Sequence, residues 1–115
     1  MIIMGSSDPE KVVPALERLL EMKPDCIICT DDSVCTTVLN RLSVLRIRIP
    51  QDIRVASFYN SSTLDNYKPS VTSLEFDASE AGSLAVKVLL DVINGREVDH
   101  RTLLGYRIIE RGSTE

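Results

Sequence analysis

Two cysteines three residues apart, Cys26 and Cys29, and the acidic pair Asp31-Asp32 bring the densest chemistry in this chain. A Cys-x-x-Cys step serves redox exchange when it opens a helix, and zinc when a second ligand pair completes a tetrahedron. Here Cys26-Ile27-Ile28-Cys29 reads as an apolar strand, in which residues three apart point to opposite faces. His100, the one histidine, is far away in sequence, and the third thiol, Cys35, leaves an odd count. Buried, inert thiols are the expectation. Asp31-Asp32 would suit a phosphoacceptor or metal pocket only with a third acid at another strand end and a lysine, and Ser57 and Tyr59 occupy the obvious place. No G-x-G-x-x-G follows a strand, no phosphate-binding P-loop is present, and no nucleophile is positioned beside His100. The residues argue against an enzyme, and neither a metal nor a cofactor is expected.

Elements must place these residues. Ile2-Ile3-Met4 reads as a short strand ended by Gly5-Ser6-Ser7. Ser7 and Glu10 have capping-box spacing for a first helix, and Pro9 suits a first turn. Its stripe is Val12, Ala15, Leu16, Leu19 and Leu20; Pro14 should kink it or delay its start. Cys26–Cys29 is apolar on both faces, as a buried parallel strand is. A second helix runs from about Ser33 to Arg46, with Val34, Val38, Leu42 and Leu45 on one side. After an Ile49–Asp52 connector comes a strand, Ile53–Phe58, then a polar loop through Asn60-Ser61-Ser62 and Asp65-Asn66. Val71–Phe76 is extended. The clearest helix starts at Asp77 and stops at Asn94-Gly95, with a stripe of Ala81, Leu84, Ala85, Val88, Leu89 and Val92. Thr102–Ile109 is a last strand, and Arg111–Glu115 a polar tail. This alternation predicts an α/β fold: a mostly parallel sheet with helices on both faces.

Composition narrows the function classes. The chain has 115 residues, enough for one core, and is 43% hydrophobic and 26% charged, as in an ordinary globular domain. No apolar run approaches a membrane span, and the start does not resemble a secretory leader, so a cytoplasmic location is the expectation. With a net charge of −4, a dense basic face for phosphates is missing. Arg41, Arg46 and Arg48 read as a solvated face rather than a DNA contact.

In wound sheets, ligands bind beyond the carboxyl ends of the strands. Three such tips occur here: Gly5-Ser6-Ser7, Thr30-Asp31-Asp32 and Phe58-Tyr59-Asn60. Their carboxylates, hydroxyls and amides suit the directed hydrogen bonds of a sugar-like molecule. Local roles compete at each. Asp31 or Asp32 also suits a helix cap, Ser6 and Ser7 a helix start, Tyr59 an ordinary loop aromatic, and Asn60 a turn.

Several segments together resemble the LacI/GalR regulators, whose core is similar to a type I periplasmic sugar-binding protein. Pro24–Asp32 is similar to that family's "PDAIFCxND" strand and turn, and Ile49–Asn60 to its "vPeDvsvvGfDd" stretch. Pro69–Leu74 resembles "PpLTTv", Gly82–Gly95 the "G…A…LL..I.G" helix, and Ile109–Thr114 the closing "vxRxSt". The five lie in family order across nearly the whole chain. The resemblance implies that residues 1–115 are a partial single domain, the C-terminal portion of an effector-binding and dimerisation core, with the DNA-binding headpiece and the N-terminal subdomain absent. It implies a small, sugar-like effector, a homodimer, and DNA contact only through the missing headpiece. A periplasmic or extracytoplasmic sugar-binding protein of the same fold is the alternative. Carried over, Ser7, Asp31, Tyr59 and Asn60 form the ligand-binding set. Ser7 stands where an aromatic ring often stacks, Asp31 where an Asn is common, and Tyr59 where an Asp usually holds sugar hydroxyls; Ser57 replaces a Gly. A phenol cannot accept two hydroxyls as a carboxylate does, so these departures argue against a standard pentose or hexose. The helix matching Asp77–Asn94 packs in the N-terminal subdomain of family members, so its stripe here is expected to pack locally, swap between chains or bury itself in a dimer.

Overall fold

A computed structural model describes residues 7–115. The reading of Ile2-Ile3-Met4 as a strand and of Gly5-Ser6 as a tip lies outside the described residues. Helix α1, Pro9–Glu21, is capped by Asp8, whose Oδ1 accepts the Glu10 N–H at 3.0 Å. Ser7 therefore does not cap it, contrary to the capping-box spacing. The reason is Pro9: it occupies the first helical position and forces its predecessor to be extended, so Asp8 takes the cap. Pro14 does not delay the start; the helix runs through it. The end is sharp, because Lys23 adopts φ 51° and Pro24 follows.

Four strands, β1 (Cys26–Cys29), β2 (Arg54–Ser57), β3 (Thr72–Glu75) and β4 (Arg107–Ile109), form one sheet in the order β1-β2-β3-β4. β1 with β2 and β2 with β3 are parallel, with Cys29 opposite Ser57 and Ser57 opposite Ser73. The fold is α/β with a mostly parallel sheet, as the alternation predicts. Among the described residues, however, only one face of β1 is covered. Ile27 and Cys29 are buried with Val55 of β2, while Cys26 is exposed and Ile28 is 59% exposed. The expectation of a strand buried on both faces, and of Cys26 as a buried thiol, is corrected accordingly.

Helix α2, Asp32–Val44, packs on α1 and buries Cys35, Val38, Leu39 and Leu42. Fully burying such side chains contributes about 1.5–3 kcal/mol for each large aliphatic one. Leu45, expected on the core side, is the C-cap residue and is exposed. Past it, Arg46 sits at φ 59°; its N–H donates to Ser43 O and that of Ile47 to Leu42 O. This closing pattern favours glycine at Arg46, because an L side chain is strained there. The connector is tied by Arg48, whose backbone N–H and Nε donate to Asp52 Oδ2 and whose Nη2 donates to Oδ1. These bonds hold the exposed Asp52 carboxyl down at about 2. The segment expected as a polar loop contains a short helix, α3 (Ser62–Asn66), capped by Ser61 and anchored by the fully buried Leu64.

The C-terminal run is not a loose polar tail. Arg111 leads into a 3-10 turn, Gly112–Thr114, in which Ser113 is completely buried. Its hydroxyl donates to Val55 O of β2 and accepts the Thr72 N–H of β3 at 2.9 Å. Gly112 lies against Pro69, where a Cβ would come within 3.3 Å of the ring.

The chain divides into two compact units, one of residues 1–74 with 108–115 and one of residues 75–107. The second holds α4, Ala78–Ile93, capped by Asp77 Oδ1 accepting from Ser79 and Glu80 and stopped at Gly95, φ 71°. Residues 102–106, expected as strand, have no regular structure. Ala81, Leu84, Ala85, Val88, Leu89 and Val92 line an apolar groove with Thr102 and Leu104, yet no α4 residue is fully buried and Leu89 is 57% exposed. No helix among the described residues is long and apolar enough to cross a membrane.

Three outcomes follow from these contacts. Ser113→Ala, which leaves two buried backbone groups of the sheet without their partner, should lower unfolding stability by about 2 kcal/mol in denaturant titration. Arg46→Gly should instead raise it by up to about 1 kcal/mol, since glycine relieves the left-handed position; a loss would contradict the helix end described. Because the Asp52 carboxyl is held below its unfolded value, the Arg48–Asp52 contribution is present above pH about 4 and lost as pH falls towards about 2. An Asp52→Asn variant should lack that part of the acid dependence.

Candidate functional site

The in-register pairing of β1 and β2 sets two strand tips side by side, and Phe58 N–H donates to Cys29 O at 2.9 Å to extend the pairing beyond the last ladder residue. Thr30-Asp31 and Tyr59-Asn60 thus leave the sheet at the same carboxyl edge.

Asp31 is half-buried and does two things. Its Oδ1 accepts the Val34 N–H at 2.8 Å, capping α2. Its Oδ2 lies 3.5 Å from the Thr30 hydroxyl, which donates to it. One oxygen is spent on the helix, and the other sits with an exposed hydroxyl at the tip, a pair able to accept from and donate to a polyol. Of the two acids proposed for the cap, Asp31 takes it, and Asp32 lies in the first turn.

Tyr59 is 44% exposed, and its backbone is fixed by the residue two before it. Ser57, buried in β2, donates its hydroxyl hydrogen to Tyr59 O at 2.8 Å and accepts the Tyr59 N–H at 3.1 Å. The serine standing where the resemblance has glycine therefore builds a closed local turn that presents the phenol ring. Asn60 is partly buried, and its Oδ1 accepts from Arg111 Nη1 at 2.9 Å. Arg111 was not among the sequence candidates. Its one signal was its place in the closing Arg-Gly-Ser-Thr run.

Asp31, Tyr59 and Asn60 are brought to one edge. Ser7 is exposed, one residue ahead of the Asp8 cap, and takes no part in that cap. Cys29 and Cys35 are buried together, and the contact between their thiols, with burial, pushes the Cys29 thiol far up, so it stays protonated. Partial desolvation on the sheet raises the Cys26 thiol too, although the residue is exposed, against the opposing pull of Arg54. Protonated thiols are poor nucleophiles and poor metal ligands. Among the described residues, no group of three or more His, Cys, Asp or Glu could hold a metal ion.

The periplasmic binding protein-like domain family matches residues 3–114. The HTH-type transcriptional repressor PurR of Vibrio atlanticus is 27% identical over 118 residues, covering 100% of this chain and 35% of its own length. The chain thus spans about a third of the curated relatives it matches. Among solved structures, a LacI family transcriptional regulator from Bifidobacterium animalis subsp. lactis superposes with a TM-score of 0.85 at 30% identity, over 97% of this chain and 42% of that one. A LacI family regulator from Arthrobacter sp. FB24, in complex with lactose, gives 0.80 at 26% identity, over 98% and 44%. This chain belongs to the periplasmic binding protein-like domain family, and within it matches the C-terminal part of the effector-binding core of LacI-type regulators.

Proposed function

We propose that this chain is the effector-sensing and dimerisation part of a LacI-type transcriptional regulator, and that a small, polar, sugar-like ligand binds at the tips of β1 and β2. The observation that carries this reading is the parallel register that gathers Asp31, Tyr59 and Asn60 on one carboxyl edge. Asp31 Oδ2 and the Thr30 hydroxyl supply hydrogen bonds. The Tyr59 ring supplies a flat apolar surface, which suits the face of a sugar or another ring. Asn60 shapes the edge, and Ser7 completes the set from the start of α1. One wall of the cleft belongs to this chain, and the other belongs to a lobe upstream in the protein that carries it.

Closure of such a cleft would shift the populations of two arrangements of the core and so the spacing of attached DNA-binding headpieces. The chain itself contacts no DNA in this scheme and catalyses nothing. Support comes from its relatives, which are named repressors, and from the lactose held by the Arthrobacter regulator. Dimerisation through the α2 side and the segment before Pro69, in the cytoplasm, belongs to the same reading.

The test is calorimetry on the full protein with a panel of sugars including lactose, sugar phosphates and purines. One class should bind, and at a hundred times its Kd should stabilise the fold by about 2.7 kcal/mol. Asp31→Asn keeps a good cap and should change stability by no more than about 0.5 kcal/mol, yet weaken binding about tenfold. Tyr59→Ala should weaken it similarly. Binding unaffected by either substitution would contradict the site, and a monomer in light scattering would contradict the dimer.

A further inference from the structure

Among the described residues of the first unit, Arg111 is the one long cationic side chain turned almost wholly inward: its side chain is 12% exposed. Its Nη1 and Nε donors are engaged within that unit. Nη1 donates to Asn60 Oδ1 at 2.9 Å and to Val71 O at 2.7 Å, while Nε pairs with Asp65 Oδ1 at 3.1 Å. Its own backbone N–H donates to Thr72 Oγ1 at 2.9 Å, which seats the residue on β3. One planar group therefore joins the exit of β2, the short helix α3 and the entry to β3.

Burying a guanidinium is costly unless its charge is compensated and its donors are satisfied. Asp65 compensates the charge, although it is 61% exposed itself. The carbonyl of Val71 and the amide oxygen of Asn60 accept from Nη1. Of these partners, only Asn60 belongs to the strand tip. On its other side the Ser57 hydroxyl ties the backbone of that tip at Tyr59.

We infer that Arg111 is a positioning residue for the Phe58–Asn60 tip, fixing through Asn60 the direction in which Tyr59 leaves the sheet. The inference rests on the proposed effector site for what the tip binds, but not for how the tip is held. A lysine cannot replace it: an ammonium is a point charge without the flat fork that reaches three acceptors at once. The register of the C-terminal run with β3 thereby sets the shape of the ligand edge, so the last residues of the chain act on the site without touching ligand.

Amide hydrogen exchange on the full protein tests this. Phe58 and Tyr59 report the tip, since their N–H groups donate to Cys29 O and Ser57 Oγ, and Val55 and Leu42 report the core. Arg111→Lys should speed exchange at Phe58 and Tyr59 about tenfold or more, the scale of a lost charge-assisted hydrogen bond, and leave Val55 and Leu42 nearly unchanged. Asn60→Ala removes the tip's end of the contact and should reproduce the same local loss; if Arg111→Lys does not fold, this variant decides. Tip exchange equal to wild type, or tip and core speeding together, overturns the inference. Exchange needs no ligand, so a panel in which nothing binds would sink the effector reading and leave this one standing.

Discussion

The parallel register of β1 and β2 is the constraint on which the rest depends. It puts Cys29 beside Ser57, and from there both strands exit at one edge, with Asp31 two residues past the one and Tyr59 two past the other. The register is held from both ends of the sequence. On one side α1 and α2 bury Leu16, Cys35, Leu39 and Leu42 against Ile27 and Val55. On the other the C-terminal turn drives Ser113 between β2 and β3 and satisfies a backbone group on each. A slip of one residue would turn Ile27 and Val55 to the open face, which makes this pairing hard to change.

At the tips, single side chains take on more than one local contact. Asp31 gives one oxygen to the α2 N-terminus and keeps the other with Thr30. Ser57 spends its hydroxyl twice on Tyr59 and so replaces the freedom of a glycine with a fixed turn. Both arrangements restrict the edge, which under the proposed function would lower the entropy cost of ordering it on binding. Two apolar surfaces stand apart from this order: the Ile28 side of β1 and the Leu89–Ile93 side of α4 remain exposed.

What could be read in the sequence follows from the range of each interaction. The Asp77 cap and the Gly95 stop of α4 are local, and the structure places them where their spacing does. The α1 cap was displaced by a single residue, because Ser7-Asp8-Pro9 offers two good caps and the proline decides between them. Helix α3 has five residues, too few to show a period, and its one core contact, Leu64, sits in a polar run. The C-terminal turn resembled a tail because its partners lie 41 and 58 residues away. Arg111 was hidden for the same reason: Asn60 is 51 positions from it. The exposed face of β1 was not legible either, since an apolar strand reads the same whether one face is covered or both. Of the proposed ligand-binding set, Asp31, Tyr59 and Asn60 came from strand ends that the alternation pattern could locate, which is why they fall on one edge.

The central claim is that the edge carrying Asp31, Tyr59 and Asn60 is where ligand is held. A crystal structure of the full protein soaked with the tightest-binding member of the sugar, sugar phosphate and purine panel addresses it most directly. The account predicts a ligand with a polar atom in hydrogen-bond reach of Asp31 Oδ2 and a ring or apolar face on Tyr59. A ligand seated away from the ends of β1 and β2, with that edge unchanged, would contradict it.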